Sequence, residues 1–276
     1  MFIKTNMIII SKLRSNSPDD EERTSRGTPQ SQHLACDAPH LLPMPDTSLL
    51  DNPIWNSLST EHAALALGDG RARRYPVEIG PLAGMPDTSR ESYEALREVV
   101  GNGGIVGLFL QEPPAPPPGW KMLRDGTMYQ MICFDAELPD SAALAPGAEI
   151  VRLTPEDVPA MVELAHLTEP GPFNIRTPEL GTFFGVKWDG RLVAMAGERL
   201  RLPQFVEISA VCTHPDARGR GYGSALTATV VRHIRGNGRT PILHLFAANQ
   251  AALRVYSGLG FTVRRTLELA MMRNEI

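Results

Sequence analysis

The sequence predicts an α/β protein, because apolar runs of strand length alternate with segments of helical periodicity. Its 276 residues suit one large domain or two of ordinary size, and 42% of them are hydrophobic, which is enough for a substantial core. The net charge of −4 provides no general electrostatic footprint for nucleic acid. We therefore expect a globular protein with no nucleic-acid partner.

The cysteines and the apolar runs bear on location. Cys36, Cys133 and Cys212 are odd in number and far apart, so they form neither a disulfide framework nor a CxxC pair. This pattern favours a reducing, cytoplasmic setting. The longest apolar run is far below the roughly 18 residues of a membrane span, so we expect no membrane association. The patch at residues 7–10 is short and no small-residue cleavage site follows it, so we predict no export signal.

The first 48 residues are predicted to be a disordered tail, since residues 11–48 are polar, rich in proline and without periodicity. His33, Cys36 and His40 lie close together in this tail. A metal site needs a fixed fourth ligand and a scaffold, and we see neither. We interpret the cluster as chance and predict no metal site.

Residues 49–146 are predicted to form a smaller α/β domain without a chemical motif. A helix is expected at 87–100, capped by Asp87, Thr88 or Ser89. The proline-rich stretch 111–120 is expected to be a stiff loop between two strands. The predicted strands are 72–80, 104–110 and 127–134.

Residues 147–276 contain more strongly marked elements. Thr154 and Pro155 predict the start of a helix, because threonine caps and proline suits the first helical position. The "WDG" sequence at 188–190 predicts a hairpin turn. Strands are predicted at 149–153, 182–188, 192–202, 205–213, 241–247 and 261–272, with further helices at 221–235 and 249–258.

The stretch "VCTHPDARGRGYGS", residues 211–224, joins a strand to a helix through three glycines. A helix N-terminus offers unpaired N–H groups and a partial positive charge, and glycines let a phosphate approach the backbone. The nucleoside-triphosphate loop GxxxxGK[ST] is absent. The dinucleotide pattern fails as well, because Ser224 stands where it needs glycine and the next strand contains no acid.

Two motifs in this half resemble those of the GNAT superfamily of acetyl-CoA-dependent N-acetyltransferases. The pyrophosphate loop [Q/R]xxGx[G/A] is matched by Arg218, Gly221 and Gly223. A second signature, in "NQAALRVYSGLGF", is matched by Asn249, Ala252, Tyr256, Gly260 and Phe261. The resemblance implies the mixed-sheet GNAT fold at about 147–276 and a degenerate GNAT-like partner domain before it.

The resemblance also implies site residues. The pyrophosphate of acetyl-CoA is expected on the N–H groups of residues 219–224, with no metal. Tyr256 matches the general acid that protonates the departing thiolate. Backbone donors to the thioester oxygen are expected at Val211 and Thr213, whereas Cys212 is expected to be a small core residue. The predicted coenzyme A contacts are Val211, Cys212, Thr213, Arg218, Gly219, Arg220, Gly221, Tyr222, Gly223, Ser224 and Asn249.

A base must take a proton from the acceptor amine. Simple alternation puts residues 207, 209, 211 and 213 on one face of their strand, and Glu207 has the spacing to Gly221 of the base in histone-type members. Glu207 is therefore the predicted base and Glu198 the rival. The alternative for Glu207 is an ion pair with Arg199 or Arg201.

The leading functional hypothesis is an N-acetyltransferase acting on a small amine or amino acid. Two rivals remain open: an acyl-CoA-binding module without turnover, and an acetyltransferase of protein lysines or N-termini. A pure binding module needs neither Glu207 nor Tyr256, which favours the enzyme. A homodimer is compatible with this hypothesis, and the sequence does not decide the oligomeric state.

Overall fold

The structure is a computed structural model that describes residues 46–134, 136–138 and 144–276. Pro45–Ile276 forms one compact unit. Most of the predicted tail, including His33, Cys36 and His40, lies outside the described residues. Ser48, the last residue of that predicted tail, already begins a short 3-10 helix, Ser48–Asp51.

The elements are as follows. The α-helices of the described residues are α1 (Pro53–Ser59), α2 (Arg90–Val100), α3 (Val158–Thr168), α4 (Tyr222–Gly236) and α5 (Gln250–Gly258). The short strands are β1 (Leu67–Gly68), β2 (Arg73–Arg74) and β3 (Ala83–Gly84). The longer strands are β4 (Ile105–Leu110), β5 (Trp120–Ile132), β6 (Ala148–Arg152), β7 (Phe183–Trp188), β8 (Arg191–Arg201), β9 (Phe205–Thr213), β10 (Thr240–Phe246) and β11 (Thr262–Asn274). Four further 3-10 helices of the described residues are Ala63–Leu65, Pro155–Asp157, Thr177–Leu180 and Pro215–Ala217.

In the described part of the chain, the eight longer strands form one mixed sheet in the order β4-β11-β5-β10-β9-β8-β7-β6. Strands β9 and β10 are parallel, whereas the other neighbours are antiparallel. The predicted mixed α/β fold is thus confirmed. Strands from both sides of the predicted domain boundary at 146 share this sheet, and the division into two domains stays a prediction.

Helices cover both faces of the sheet. On one face, α4 packs its Leu226 and Val230 against Val206 and Ile208 of β9. On the other face, the apolar side chains of α3 pack with Met195 of β8, and those of α1 pack with the central strands. The sheet therefore separates two surfaces, one bearing α4 and one bearing α1 and α3.

Local signals in the sequence place several element ends correctly. Ser89 caps α2 by accepting a hydrogen bond from the N–H of Ser92 at 3.2 Å. Thr154 and Asp157 form a capping box before α3. Asp189 and Gly190 both have positive φ, 49° and 80°, as a tight hairpin of the primed type requires.

The strand predicted at 72–80 is wrong beyond Arg74. The chain turns at Pro76, whose carbonyl accepts a hydrogen bond from the N–H of Ile79 at 3.0 Å. Proline has no N–H to donate to a sheet, so the alternation of the following residues does not continue the strand. Tyr75 and Ile79 are instead buried in the core beside α1.

A buried polar cluster holds this turn against the second half of the chain. The hydroxyls of Ser57 and Tyr75 lie 3.2 Å and 2.8 Å from His62 Nδ1. Nε2 of His62 lies 3.1 Å from the carbonyl of Leu180, so it carries the proton and donates it. The imidazole is 4% exposed, and burial lowers its pKa from 6.5 to about 4.

We expect the free energy of unfolding to fall as the pH drops from 6.5 to 4. Folding holds His62 neutral, so the unfolded chain binds a proton first as the pH falls through 6.5. The stabilisation is complete above pH 6.5 and declines by about 3 kcal/mol by pH 4, at 1.36 kcal/mol per pH unit. Urea unfolding at a series of pH values measures it. His62→Gln should flatten the curve, and the exposed-site control His166→Gln should not. Equal slopes in wild type and His62→Gln would contradict the assignment.

Candidate active site

The glycine loop leads directly into α4. Gly219 and Gly221 both have φ of 76°, a left-handed conformation that glycine adopts without steric cost. The first helical hydrogen bond runs from the N–H of Ala225 to the carbonyl of Gly221, at 3.0 Å. Within the described residues, no backbone N–H of 219–224 donates to a protein acceptor. The loop therefore presents a row of free donors at the positive end of a helix.

This loop fits the pyrophosphate of coenzyme A. A Cβ added at Gly219 or Gly221 would meet no described atom within 4 Å, so the space outside the loop is open. A Cβ at Gly223 would lie 3.8 Å from Val211 and 3.9 Å from Thr213, which shows that the helix start packs closely on β9. Free amides, an open approach and a helix N-terminus are the features that an anionic group requires.

The two arginines of the loop are exposed. Arg220 lies with its guanidinium 4.4 Å from the centre of the Trp188 ring. Arg218 donates a long hydrogen bond, 3.4 Å, to the carbonyl of Thr213. Tyr222, by contrast, is buried, and its hydroxyl has no partner among the described residues. The predicted contacts of these side chains and of Ser224 with coenzyme A stay predictions.

Strands β9 and β10 separate next to this loop. Their parallel pairing runs from Phe205 with Thr240 to Ile208 with Leu243 and then stops, although both strands continue. Over the same residues β9 stays paired with β8, and β10 stays paired with β5. A gap therefore opens in the sheet beside Ser209, and through it the two faces can communicate.

A bulge in β9 overturns the alternation argument. Met195 and Gly197 of β8 pair with Cys212 and Ser209, so β9 holds one extra residue there, and Ala210 has a φ of 53°. An extra residue reverses the facing of every later side chain. Val206, Ile208 and Val211 consequently all face α4, whereas Ala210 and Cys212 face α3. Glu207 lies on the face opposite Val211 and Thr213, contrary to the prediction.

Glu207 is fully buried, and its carboxylate contacts two side chains, Arg199 and His244. Nε and Nη2 of Arg199 donate to its two oxygens, and His244 Nδ1 lies 2.7 Å from Oε1. Burial by itself raises the pKa of the carboxyl, but Arg199 and His244 outweigh it and lower the pKa to about 2. A carboxylate of such low pKa is a weak base, because general bases work best with a pKa near the working pH.

Glu198, the rival base, is 1% exposed and lies on the α4 face. Its Oε2 accepts a hydrogen bond from the N–H of Thr182 at 3.0 Å. Arg201 and His233 both approach its oxygens at 3.7 Å. Each candidate carboxylate thus has structural partners.

Glu207→Gln is expected to lower the free energy of unfolding by about 3 kcal/mol, because it leaves the Arg199 charge without its buried partner. The stabilisation that Glu207 provides is complete above its unfolded pKa, near 4.5, and is lost as the pH falls to about 2. Glu179→Gln is the matched control, since its ion pair with Arg176 is roughly half exposed and is worth less than about 1 kcal/mol. Chemical denaturation at pH 7 compares them. Equal losses would show that the buried pair is not needed for folding.

Tyr256 lies on α5 and Asn249 directly precedes this helix, on the same face of the sheet as the loop. Tyr256 packs against the core cluster that also holds Val211, and its ring meets Phe261 edge-on at 6.1 Å. Burial raises the pKa of its phenol to about 12, so the hydroxyl keeps its proton at neutral pH. Asn249 caps α5 through its Oδ1, which accepts from the N–H of Ala252. The structure thus gives Asn249 a capping role.

Cys212 is buried against α3, and burial raises the pKa of its thiol to about 11. A thiol of such high pKa is a poor nucleophile at neutral pH. The side chain packs in an apolar cluster with Met195. It is therefore a small core residue, as expected, and its predicted contact with coenzyme A stays a prediction.

Two cavities lie on the face opposite the loop. A narrow cleft of about 10 Å³ borders the gap in the sheet and is lined by Phe173, Thr177, Phe183, Arg199, Ser209 and Ala210, among others. A wide groove of about 470 Å³ begins on the other side of Phe183. The arrangement places the glycine loop with its free amides on one face and a ligand-sized groove on the other, with the gap between them.

Three residues of this site were not predicted from the sequence. Gln130 Nε2 donates to the carbonyl of Leu50 and lies 3.0 Å from His244 Nε2. Because an amide nitrogen can only donate, His244 accepts at Nε2 and donates from Nδ1 to Glu207. Arg264 completes the network by donating to Gln130 Oε1 at 2.8 Å. For Gln130 and His244, the signal in the sequence was a single polar residue inside an apolar run, which indicates a buried partner but does not identify it.

Comparison with known proteins covers the same region. A family model described as FR47-like protein matches residues 184–269. Mycothiol acetyltransferase from Streptomyces coelicolor is 35% identical over 86 residues, which is 30% of this chain and 28% of that protein. A protein of the same name from Mycobacteroides abscessus is 35% identical over 97 residues, which is 35% of this chain and 30% of that protein. The match thus spans less than a third of the length of these two curated relatives.

A solved structure described as an acetyltransferase of the GNAT family, from Novosphingobium aromaticivorans, is 39% identical to this chain. It covers 82% of this chain and 99% of its own, with a TM-score of 0.74. The chain belongs to the GNAT family. The fold is shared by a GCN5-related N-acetyltransferase from Kribbella flavida, with a TM-score of 0.52. The two chains are 15% identical, and the match covers 78% of this GNAT protein and 93% of the other chain.

Acetyltransferases of the GNAT family use acetyl-CoA as the acyl donor. Among the residues described in this GNAT protein, no group of three or more His, Cys, Asp or Glu side chains could hold a metal ion. No helix of those residues is long and apolar enough to cross a membrane.

Proposed function

We propose that this GNAT protein transfers the acetyl group of acetyl-CoA to a primary amine of a small molecule. The observation that carries the proposal is the gap between β9 and β10, which joins the free amides of residues 219–224 to the cavities on the opposite face. A donor held on the loop and an amine in the groove would meet at Ser209 and Ala210. The names of the curated relatives support acetyl transfer. Because the matched stretch is short, the acceptor of those proteins is not carried over to this chain.

Each group of the chain has a task in this proposal. The loop amides bind and orient the pyrophosphate, and acetyl-CoA supplies an activated acyl group when bound. Tyr256 holds a phenolic proton at its hydroxyl, available to a departing thiolate. We propose that Glu207, with its lowered pKa, orients Arg199 and His244 instead of abstracting a proton. The amine then reacts as its free base. The fraction of the amine in this form increases as the pH rises towards the ordinary amine pKa near 10.4.

Glu207 does not distinguish an enzyme from a binding module. The ion pair with Arg199 gives Glu207 a structural task, so its presence no longer indicates turnover. Tyr256 still favours an enzyme, because burial keeps its phenol protonated at neutral pH and its hydroxyl has no hydrogen-bond partner among the described residues. A panel of amines with acetyl-CoA, monitored by release of the coenzyme A thiol, separates the two functions. An acetyltransferase releases thiol in step with acetylated amine, whereas a binding module releases none.

A further inference from the structure

Two charged residues that the reaction has not used line the narrow cleft, Glu198 and Arg199. The Glu198 side chain is almost fully buried and its Oε2 accepts from the N–H of Thr182, so Arg199 is the one with donors to offer. Arg199 is 17% exposed and lines the cleft next to Ser209 and Ala210. Nε and Nη2 are taken up by Glu207. Nη1 forms no hydrogen bond with the described residues, and it is not among the fully enclosed polar atoms. Two N–H donors of a rigid guanidinium therefore remain open beside the gap in the sheet.

The guanidinium is held in one orientation. Glu207 binds it through two oxygens, and Glu207 is itself fixed by His244 and, through His244, by Gln130. On its flat side, Arg199 lies 5.5 Å from the centre of the Phe109 ring. A donor that is fixed on its far edge and stacked on its face loses little freedom when it binds a ligand, which favours a specific hydrogen bond.

Size and charge indicate what this donor edge binds. The cleft of about 10 Å³ has room for roughly one water-sized group, such as a single oxygen atom with its carbon behind it. The positive charge of Arg199 is already balanced by Glu207, so a second carboxylate would share one cation with a buried anion. A neutral carbonyl oxygen meets no such repulsion. The remainder of the ligand has the groove of about 470 Å³ beyond Phe183.

We propose that Nη1 of Arg199 donates a hydrogen bond to the carbonyl oxygen of an α-amino amide, which serves as the acceptor substrate. The amine of this amide then lies at the gap beside Ser209 and Ala210. This proposal rests on the proposed acetyl transfer and names its acceptor class. Arg199 thereby selects amines that carry a neighbouring carbonyl over simple alkyl amines. A site built to hydrogen-bond a substrate group discriminates against the analogue that lacks the group.

The test compares three acceptors with the full-length protein and acetyl-CoA. L-Alaninamide carries the amine and the neutral carbonyl, L-alanine carries a carboxylate, and sec-butylamine has the same branching without oxygen. Rates are calculated per unprotonated amine, since the three differ in basicity. We expect kcat/KM for alaninamide to exceed that for sec-butylamine about 10- to 100-fold, the value of a hydrogen bond to a charged group. Alanine should fall below alaninamide.

Variants separate recognition from folding. Arg199→Gln should bring the ratio of kcat/KM for alaninamide to that for sec-butylamine close to 1. Both rates fall equally with the fraction of folded protein, so this ratio reports recognition even where breaking the pair with Glu207 destabilises the fold. Arg199→Lys, which keeps a cation beside Glu207, should retain part of the preference. Arg73→Gln is the matched control, because Arg73 also lies over an aromatic ring, Trp55, but lines neither cavity. Equal kcat/KM for alaninamide and sec-butylamine in wild type would overturn the proposal while acetyl transfer stands. Absence of thiol release with every amine would instead overturn the proposed function.

Discussion

Gly221→Asp is expected to weaken binding of coenzyme A at least about 100-fold, or roughly 2.7 kcal/mol. The substitution places a carboxylate next to the free amides of residues 219–224, where the pyrophosphate is proposed to bind. Two like charges about 4 Å apart repel by about 4 kcal/mol at a partly exposed site. Isothermal titration calorimetry with coenzyme A, with and without EDTA, measures the loss and tests whether a metal contributes.

Backbone strain is controlled by a second glycine. Gly238 has a φ of 69°, close to the 76° of Gly221, and a Cβ added at either position meets no described atom within 4 Å. Gly238→Asp therefore introduces the same strain and the same charge beyond the C-terminal end of α4. Its affinity for coenzyme A should equal that of wild type. If Gly221→Asp also bound coenzyme A normally, the assignment of the loop would be wrong.

Tyr256→Phe is expected to lower kcat by about 10²- to 10⁴-fold, the usual contribution of a positioned proton donor. The variant keeps the ring that packs against Phe261 and removes the hydroxyl alone, so folding and affinity for coenzyme A should be unchanged. Burial raises the pKa of this phenol to about 12, so wild type should keep the acid form through the neutral and mildly alkaline range. Steady-state kinetics from pH 6 to pH 9, with calorimetry on the same samples, provides both quantities.

Tyr129→Phe is the matched control, because Tyr129 is a partly buried tyrosine packed against the same core cluster. Its kcat should remain within about two-fold of wild type, since an isosteric change away from the proposed chemistry has little effect. A full kcat in Tyr256→Phe would mean that the thiolate takes its proton from water or from another group. The proposed acid would then be wrong, although acetyl transfer would stand.

Features that depend on neighbouring residues could be predicted from the sequence. The Ser89 cap, the Thr154 capping box and the turn at Asp189 and Gly190 each involve hydrogen bonds or dihedral angles within a few positions. The glycine loop belongs to the same class, because a strand, a turn and a helix N-terminus suffice to present free amides. These signals act through the local backbone and so remain visible in one sequence.

The gap and its charged lining could not be predicted in this way. An alternation argument counts residues along one strand. The bulge at Ala210 instead depends on two strands, because the pairing register between β8 and β9 shifts by one residue across it. That single extra residue places Glu207 on the face opposite Val211. Its partners, Arg199 and His244, are 8 and 37 positions away and come from two other strands. The sequence by itself determined where the glycine loop with its free amides lies and which family the chain resembles. The tertiary structure alone decided which carboxylate is neutralised and which arginine faces the cleft, because strand pairing and burial set those contacts.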